Sequence, residues 1–291
     1  MGHAFAGEVI ETGPECRAFA VGDRVTAPFI LGCGACPECR GGAASICAHQ
    51  QVIGFTVPGA FAERVAIPRA DFNLVRLPVD MAYTAAAGMG CRVTTAFRAV
   101  VDRGALQPGE WLAVHGCGGV GLSAVMIGAA VGARVLAIDI APEALDMARS
   151  FGATATLDAR RGEVGEAVRE ITGGGAHVSV EALGMTATFE NSLRGLRPMG
   201  RHVQVGMPVG AHAAPPLPLL ELVYARQISL LGTRGISADR FAALFDMIAA
   251  GRLDPGGLVT HTIPLSEAGA ALRAMDSFQG CGVTVIDRLD C

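Results

Sequence analysis

Short apolar segments alternate with amphipathic segments through the middle of the chain, from about residue 84 to about residue 250. Short apolar runs bounded by turn residues are typical of buried strands, and longer periodic runs are typical of helices. This alternation predicts a parallel, doubly wound sheet of the α/β class, with helices on its faces. The predicted strands are 111–115, 134–140, 154–157, 177–182, 201–206 and 228–232. The predicted helices are 120–132, 164–172, 186–196 and 238–250, with one more beginning near Pro142.

The two ends of the chain show a different pattern. Residues 1 to about 80 are typical of short strands and turns, with strands at 5–10 and 24–30 and a strand pair around Pro58-Gly59. After Pro255, strands at 259–263 and 283–286 flank a helix that includes 267–275. We expect this C-terminal segment to return to the N-terminal domain.

The composition limits the class of protein. A length of 291 residues, at about 150 residues per domain, predicts two domains. Hydrophobic residues make up 51% and charged residues 17% of the chain, which excludes a disordered protein. The net charge of −4 and the lack of a basic run exclude a nucleic-acid-binding protein. The chain has no Lys, which excludes a P-loop lysine and a pyridoxal Schiff base.

The longest uncharged run, 111–133, is long enough to span a bilayer. It contains six glycines, however, four of them within 116–121, so a strand, a turn and a helix explain it better than a membrane span. The N-terminus also lacks the basic start and apolar core of a signal peptide. We therefore expect a cytoplasmic protein whose nine cysteines are reduced thiols or metal ligands.

A glycine-rich turn follows the first predicted strand of the sheet. Gly116, Gly118 and Gly121 form a G-x-G-x-x-G motif between that strand and a helix that includes Gly119 and Val120. The first glycine permits a tight turn, the second lets the backbone approach a pyrophosphate, and the third lets the helix pack on the strand. The start of the helix offers N–H groups to the phosphates. The alternative is a tight turn with no ligand.

The next strand ends in Asp139, which lies 23 positions after Gly116. A carboxylate at this place can bind the adenosine ribose hydroxyls and repels a 2′-phosphate. The motif therefore predicts NAD rather than NADP, although the nearby Arg149 could weaken that preference. The alternative is that Asp139 only caps a helix.

Four cysteines with regular spacing form a second candidate site. Cys33, Cys36, Cys39 and Cys47 follow the pattern C-x2-C-x2-C-x7-C. Four thiolates can close a tetrahedral zinc site that has no open position, so its role is structural. The alternatives are an iron–sulfur cluster, whose bacterial pattern has a closer fourth cysteine followed by Pro, and four ordinary thiols.

These motifs resemble those of the zinc-dependent medium-chain alcohol dehydrogenase family. Two further segments add to the resemblance: Gly-His-Ala-Phe-Ala-Gly at 2–7 with Val-Gly-Asp-Arg-Val at 21–25, and Gly-Cys-Arg-Val-Thr-Thr-Ala at 90–96. The resemblance covers nearly the whole chain. It implies a Rossmann domain plus a GroES-like, mostly β catalytic domain. The implied division is a partial GroES-like domain at 1–91 with its zinc lobe at 32–47, an NAD-binding domain at 92–233, and a returning segment at 234–291.

The resemblance also implies a catalytic zinc. In the family its ligands are an N-terminal cysteine, the histidine of a Gly-His-Glu motif and a cysteine before the Rossmann domain; the last two match His3 and Cys91. Ala4 replaces the family's acidic residue, and only two residues precede His3. We therefore expect an N-terminally incomplete catalytic domain that lacks the third ligand and binds this zinc weakly. Thr95 is expected to approach the cofactor; the alternative is simple helix packing.

The function implied by the resemblance is hydride transfer between an alcohol/aldehyde pair and NAD by a zinc-dependent oxidoreductase. The partners would be a small alcohol or aldehyde and further copies of the chain in a homodimer or homotetramer, with no nucleic acid and no membrane. Two alternatives stay open. One is a truncated NAD- and zinc-binding protein with impaired catalysis. The other is a zinc-free quinone reductase of the same superfamily, against which the four-cysteine lobe argues.

Overall fold

The chain divides into two compact units in a computed structural model that describes residues 1–275 and 281–289. The first unit comprises Met1–Thr94 and Gly235–Cys291, and the second comprises Thr95–Arg234. Residues 276–280 and 290–291, which belong to the predicted C-terminal segment, lie outside the described residues.

The N-terminal part of the first unit consists of short elements. Its strands are β1 (Ala6–Glu8), β2 (Arg24–Thr26), β3 (Ile30–Leu31), β4 (Gln51–Val52) and β5 (Val75–Arg76). Its helices are α1 (Pro37–Arg40), α2 (Ala70–Asn73), α3 (Tyr83–Met89) and α4 (Arg92–Phe97), the last of which runs into the second unit. β1, β2 and β5 form an antiparallel sheet, and β3 pairs with β4 in a separate antiparallel pair.

The prediction of a strand pair around Pro58-Gly59 is wrong for the described residues. β4 ends at Val52, and only an isolated bridge between Ile53 and Val57 follows it. The next backbone N–H groups pair elsewhere, because Ala60 N donates to Gly2 O and Phe61 N donates to Met1 O, both at 3.0 Å. Proline also brings no N–H to a ladder at this point.

The second unit is a parallel sheet covered by helices. Its elements in chain order are β6 (Trp111–His115), α5 (Gly119–Val131), β7 (Arg134–Asp139), α6 (Pro142–Ser150), β8 (Ala155–Asp158), α7 (Val164–Thr172), β9 (Ala176–Glu181), α8 (Thr186–Arg194), β10 (Leu196–Gln204) and β11 (Ser229–Gly232). The strand order β11-β10-β9-β6-β7-β8 is that of a Rossmann sheet, as predicted. All five residues of β6 are buried, as expected for a central strand with both faces covered.

Chain order reverses between β6 and β9, which are hydrogen-bonded neighbours in the sheet. Ligands of open α/β sheets bind at such a switch point, outside the carboxyl ends of the strands. The glycine turn follows β6 at this edge, and Glu181 ends β9 there, in register with His115. The second unit thus places both loops where a dinucleotide is expected.

The C-terminal part of the first unit contains α9 (Phe241–Ala249), β12 (Val259–Pro264), α10 (Ala268–Met275) and β13 (Val283–Arg288). β12 pairs with β13 in parallel, and α3 contacts both strands. The packing is close, since a Cβ added at Gly88 of α3 would lie 2.9 Å from Val259 Cγ2. None of the helices in the described part of the chain is long and apolar enough to cross a membrane.

Candidate cofactor and metal sites

Each glycine of the turn after β6 meets a different steric requirement. Gly116 has φ +91°, and a Cβ there would lie 2.5 Å from Leu183 Cγ. A Cβ at Gly121 would collide with the Gly116 carbonyl oxygen and lie 2.8 Å from its carbon. A Cβ at Gly118 would have nothing within 4 Å. Gly121 therefore lets α5 pack against the turn, Gly116 lets Leu183 approach it, and Gly118 leaves open space beside the backbone.

That open space adjoins the start of α5. Gly118 is the N-cap residue and provides no side-chain cap, and Gly119 and Val120 are half-buried. The first N–H groups of a helix have no partner within the helix, and the positive end of the helix dipole lies there. The geometry therefore fits an anionic ligand such as a diphosphate.

The Asp139 carboxylate lies against the same turn. One of its oxygens accepts a hydrogen bond from Cys117 N at 2.6 Å, and the other accepts one from Ala141 N at 2.9 Å. Arg149, which the sequence suggested as a competing charge, instead pairs with Asp146 and Thr156. The Asp139 carboxylate therefore lies beside the turn and forms no salt bridge with an arginine in the described part of the chain.

Thr95 lies in α4 and is buried. Its Oγ1 has no hydrogen-bond partner among the described residues, whereas Thr94 Oγ1 donates to the carbonyls of Gly90 and Cys91. A buried hydroxyl without a partner is unfavourable unless a ligand or a water satisfies it. This distinguishes Thr95 from its neighbour as a candidate for cofactor binding.

The four cysteines between β3 and β4 converge on one point. Their sulfur atoms all lie within 4.8 Å of one another, and they are the only group of three or more potential metal ligands that the described residues bring together. Cys33 Sγ lies 4.0 Å from Cys39 Sγ, and Cys36 Sγ lies 3.6 Å from Cys47 Sγ. A tetrahedron with Zn–S bonds of about 2.3 Å has edges of about 3.8 Å. The donor set and its spacing therefore fit zinc.

Backbone N–H groups surround these sulfur atoms. Ala35 N and Cys36 N donate to Cys33 Sγ at 3.4 and 3.3 Å, and His49 N donates to Cys47 Sγ at 3.3 Å. The two N–H donors at Cys33 lower the pKa of its thiol to about 6. Burial acts in the opposite direction at Cys39, where it raises the thiol pKa. N–H donors of this kind stabilise a thiolate, which is the form that binds metal.

The buried Asn73 amide holds the start of this lobe. Its Oδ1 accepts from Gly32 N at 2.8 Å, and its Nδ2 donates to Gly32 O at 3.1 Å and to Pro68 O at 3.0 Å. These bonds satisfy backbone groups that no strand pairs at this point.

His3 and Cys91 lie near the same cluster of buried residues, Phe29, Ile30 and Val52. The His3 ring is 5.3 Å from the Phe29 ring between centroids, and Cys91 packs on the cluster that contains Phe29. A Cβ added at Gly90 would lie 2.9 Å from Ala4 Cβ, so the two segments touch. Burial and then the positive charge of Arg92 lower the pKa of His3, which favours the neutral imidazole that binds metals. His3 and Cys91 stay the predicted ligands of a catalytic zinc, which requires three protein ligands, and the described residues bring no third potential ligand together with these two.

Sequence reasoning missed Glu181, which the structure buries completely at the carboxyl end of β9. The signal in the sequence was an acidic residue at the end of a short apolar strand, and the same signal identified Asp139. His115 is the last residue of the buried strand β6. Burial lowers its pKa to about 3, and its Nε2 has no hydrogen-bond partner within the described chain.

Comparison with protein families gives two matches. Residues 1–79 match the alcohol dehydrogenase GroES-like domain, and residues 119–250 match the zinc-binding dehydrogenase family. Together these matches cover the lobe of four cysteines, the start of α5 and most of the sheet of the second unit.

Individual relatives agree with these matches. The chain is 30% identical to an NAD-dependent alcohol dehydrogenase of Sulfurisphaera tokodaii over 98% of its own length and 81% of the relative. It is 34% identical to an alcohol dehydrogenase of Geobacillus stearothermophilus over 71% of its own length, and this match spans only 60% of that relative. The solved alcohol dehydrogenase of Thermus sp. ATN1 superposes with a TM-score of 0.89 at 31% identity, covering 98% of this chain and 83% of that one. The chain belongs to the zinc-dependent medium-chain alcohol dehydrogenase family.

Proposed function

We propose that this chain is an NAD-linked, zinc-binding oxidoreductase that transfers a hydride between an alcohol and the corresponding aldehyde. The observation that carries the proposal is the turn of Gly116, Gly118 and Gly121 with the Asp139 carboxylate hydrogen-bonded to its backbone. This turn, the uncapped start of a helix and an acid at the end of the next strand are what dinucleotide binding requires. The alcohol dehydrogenases among its relatives favour an alcohol as the substrate.

Bound NAD would supply the hydride acceptor, and the protein would bind and orient it. The N–H groups of Gly119, Val120 and Gly121 would donate hydrogen bonds to the diphosphate. The Asp139 carboxylate would accept hydrogen bonds from the ribose hydroxyls. The Asp139 charge would oppose a 2′-phosphate, which favours NAD over NADP. The Thr95 hydroxyl, which has no hydrogen-bond partner among the described residues, is a further candidate contact.

The four cysteines would hold a structural zinc, since four protein ligands leave no position for a substrate. His3 and Cys91 are the proposed ligands of a second, catalytic zinc. A zinc ion held by these residues would supply Lewis-acid polarisation of an alcohol oxygen. Because only two candidate zinc ligands lie there among the described residues, the test of function includes a measurement of the zinc content.

The test combines zinc analysis with an assay of alcohol-dependent NADH formation. With zinc in the buffer we expect about two zinc ions per chain, one held firmly by the four cysteines and one held weakly at His3 and Cys91. We also expect NADH formation with one or more members of a panel of primary and secondary alcohols. The matched variant Cys91→Ser is expected to abolish NADH formation while it keeps NAD binding and the zinc of the four-cysteine lobe. About one zinc ion per chain and no NADH with any alcohol would contradict the catalytic proposal and favour the non-catalytic alternative.

We also propose that residues 1–91 and 234–291 form the catalytic domain and 92–233 the NAD-binding domain. A homodimer or homotetramer in the cytoplasm completes the proposal, in line with the function class. Light scattering of the purified protein tests the oligomeric state, and a monomer at assay concentration would contradict it.

A further inference from the structure

The loop after β9 lies against the glycine turn. β6 and β9 are neighbours at the switch point, and Ala182 N donates to His115 O at 2.9 Å. The Leu183 side chain then fills the place where a Cβ of Gly116 would stand. The backbone of this loop is also close to that of the loop after β10, since a Cβ at Gly206 would lie 2.5 Å from Leu183 N. A change in the conformation of residues 182–184 would therefore change the packing against the glycine turn.

The Glu181 side chain fixes this loop from within. Its Oε1 accepts from Leu183 N and Gly184 N, both at 2.9 Å, and from Thr188 Oγ1 at 2.7 Å. Its Oε2 accepts from Gly184 N at 2.9 Å and from the Gln204 amide. Every one of these partners can donate a hydrogen bond, so the site suits an acceptor-only carboxylate. Charge-assisted hydrogen bonds to a fully buried carboxylate are stronger than neutral ones.

A chain of hydrogen bonds on the same face of the sheet orients the Gln204 amide. Gln204 Nε2 donates to Glu181 and to Gly206 O, which leaves Gln204 Oε1 to accept from His202 Nε2 at 3.1 Å. Ser192 Oγ lies 2.8 Å from His202 Nδ1 and 2.6 Å from Ser179 Oγ. Burial lowers the pKa of His202 to about 4, so the ring is neutral and can donate at Nε2 while it accepts at Nδ1.

We propose that Glu181 is a positioning residue for NAD, whose carboxylate holds the Leu183–Gly184 backbone, and through the Leu183 side chain the Gly116 turn, in the conformation that binds the cofactor. This inference rests on the NAD binding proposed above and deepens it. Glu181 acts through the loop, and Gln204 acts with it by tying the same carboxylate to the loop that contains Gly206.

The substitution Glu181→Gln tests the charge with almost no change of shape. An amide at this place would direct N–H groups towards the N–H of Gly184 or the amide of Gln204, so donors would face donors. We expect the Kd for NAD to rise about ten-fold, which corresponds to the loss of one charge-assisted hydrogen bond at the loop. Hydrogen exchange of the Leu183 and Gly184 amides, measured without NAD, should also become faster.

Two control variants separate positioning from general stability. Ser179→Ala removes the last hydroxyl of the hydrogen-bonded chain and leaves the bonds from Ser192 to His202 and from His202 to Gln204 in place. We therefore expect a lower thermal midpoint with an unchanged Kd for NAD. The double variant Glu181→Gln with Gln204→Glu restores a carboxylate–amide pair but moves the carboxylate away from Gly184 N. We expect the double variant to bind NAD as weakly as Glu181→Gln alone.

If Glu181→Gln does not fold, Thr188→Val tests the positioning role of Glu181. It keeps the carboxylate and removes one donor to Oε1, so we expect faster exchange at Gly184 and a Kd for NAD that rises about two- to three-fold. Unchanged NAD affinity and amide exchange in the folded variant would overturn the inference. Full rescue by the double variant would also overturn it, because the pairing of 181 with 204 would then matter instead of the loop. If the unaltered chain does not bind NAD, the proposed function fails first and this inference fails with it.

Discussion

Alanine at Gly118 and alanine at Gly121 should both weaken NAD binding, but only alanine at Gly121 should lower the stability of the protein. At Gly118 the backbone angles of −74° and −168° are accessible to alanine, and a Cβ would have nothing within 4 Å. Replacing glycine with alanine at a compatible site stabilises a protein by about 0.4–1 kcal/mol, and losing a favoured N-cap glycine costs a similar amount. The free energy of unfolding should therefore change by less than about 0.5 kcal/mol.

Gly121→Ala meets backbone atoms that cannot give way. Its Cβ would collide with the Gly116 carbonyl oxygen and lie 2.8 Å from the carbonyl carbon. An ordinary contact between carbon atoms is about 3.5 Å, so α5 or the turn would have to retreat by at least about 0.7 Å, and further to clear the oxygen. Overpacking of this kind costs about 1–3 kcal/mol or more. We expect this variant to be destabilised by about 3 kcal/mol and to lose NAD binding as a consequence.

The assay measures two quantities for each variant, the midpoint of denaturant unfolding and the Kd for NAD from fluorescence titration. Gly118→Ala should keep the midpoint of the parent protein and raise the Kd at least about ten-fold, because its methyl group occupies the space proposed for the diphosphate. If Gly118→Ala bound NAD as tightly as the parent, the diphosphate would not lie at this turn. If Gly121→Ala were as stable as the parent, the steric account of the turn would be wrong.

Three further predictions follow from the sites. Cys47→Ser should remove the structural zinc and lower the thermal midpoint by several degrees, which zinc analysis and calorimetry check; full zinc content would refute the site. Asp139→Asn should reduce the preference for NAD over NADP at least about ten-fold in paired titrations, and an unchanged ratio would contradict its role. The stability of the protein should fall as the pH drops below about 6.5, because burial lowers the pKa values of His115 and His202 to about 3 and 4 while the unfolded chain binds protons from about 6.5; a flat unfolding midpoint between about pH 7 and pH 5 would contradict this.

The second unit follows the sequence pattern closely, for a physical reason. Residues 111–115 and 164–172 were predicted with the bounds that the structure gives to β6 and α7, since a buried parallel strand and an amphipathic helix carry strong local signals. Where the predicted and observed bounds of an element differ, side chains and long-range hydrogen bonds determine the observed bounds. The strand predicted at 201–206 begins earlier in the structure, at Leu196, and ends at Gln204. It ends there because Val205 N and Gly206 N both donate to Glu181 O.

The first unit was harder to predict because its hydrogen bonds join distant segments. The backbone near Pro58 pairs with Met1 and Gly2, and no local pattern encodes such a partner. The four cysteines were found from spacing alone, since tetrahedral zinc sites require closely spaced ligands. His3 contacts Phe29, and Cys91 packs on the cluster of buried residues that contains Phe29. His3 and Cys91 are almost ninety positions apart, so only the family resemblance suggested that they belong together. Glu181 was overlooked because one of its partners, the Gln204 amide, is far along the chain and is brought to it only by the pairing of β9 with β10.

Calorimetric titration of the purified, unaltered chain with NAD and with NADP tests the dinucleotide site most directly. The geometry of the turn and of Asp139 predicts one NAD bound per chain, at least about ten-fold more tightly than NADP. Failure to bind either dinucleotide, or tighter binding of NADP, would contradict the assignment of this turn and its carboxylate to NAD.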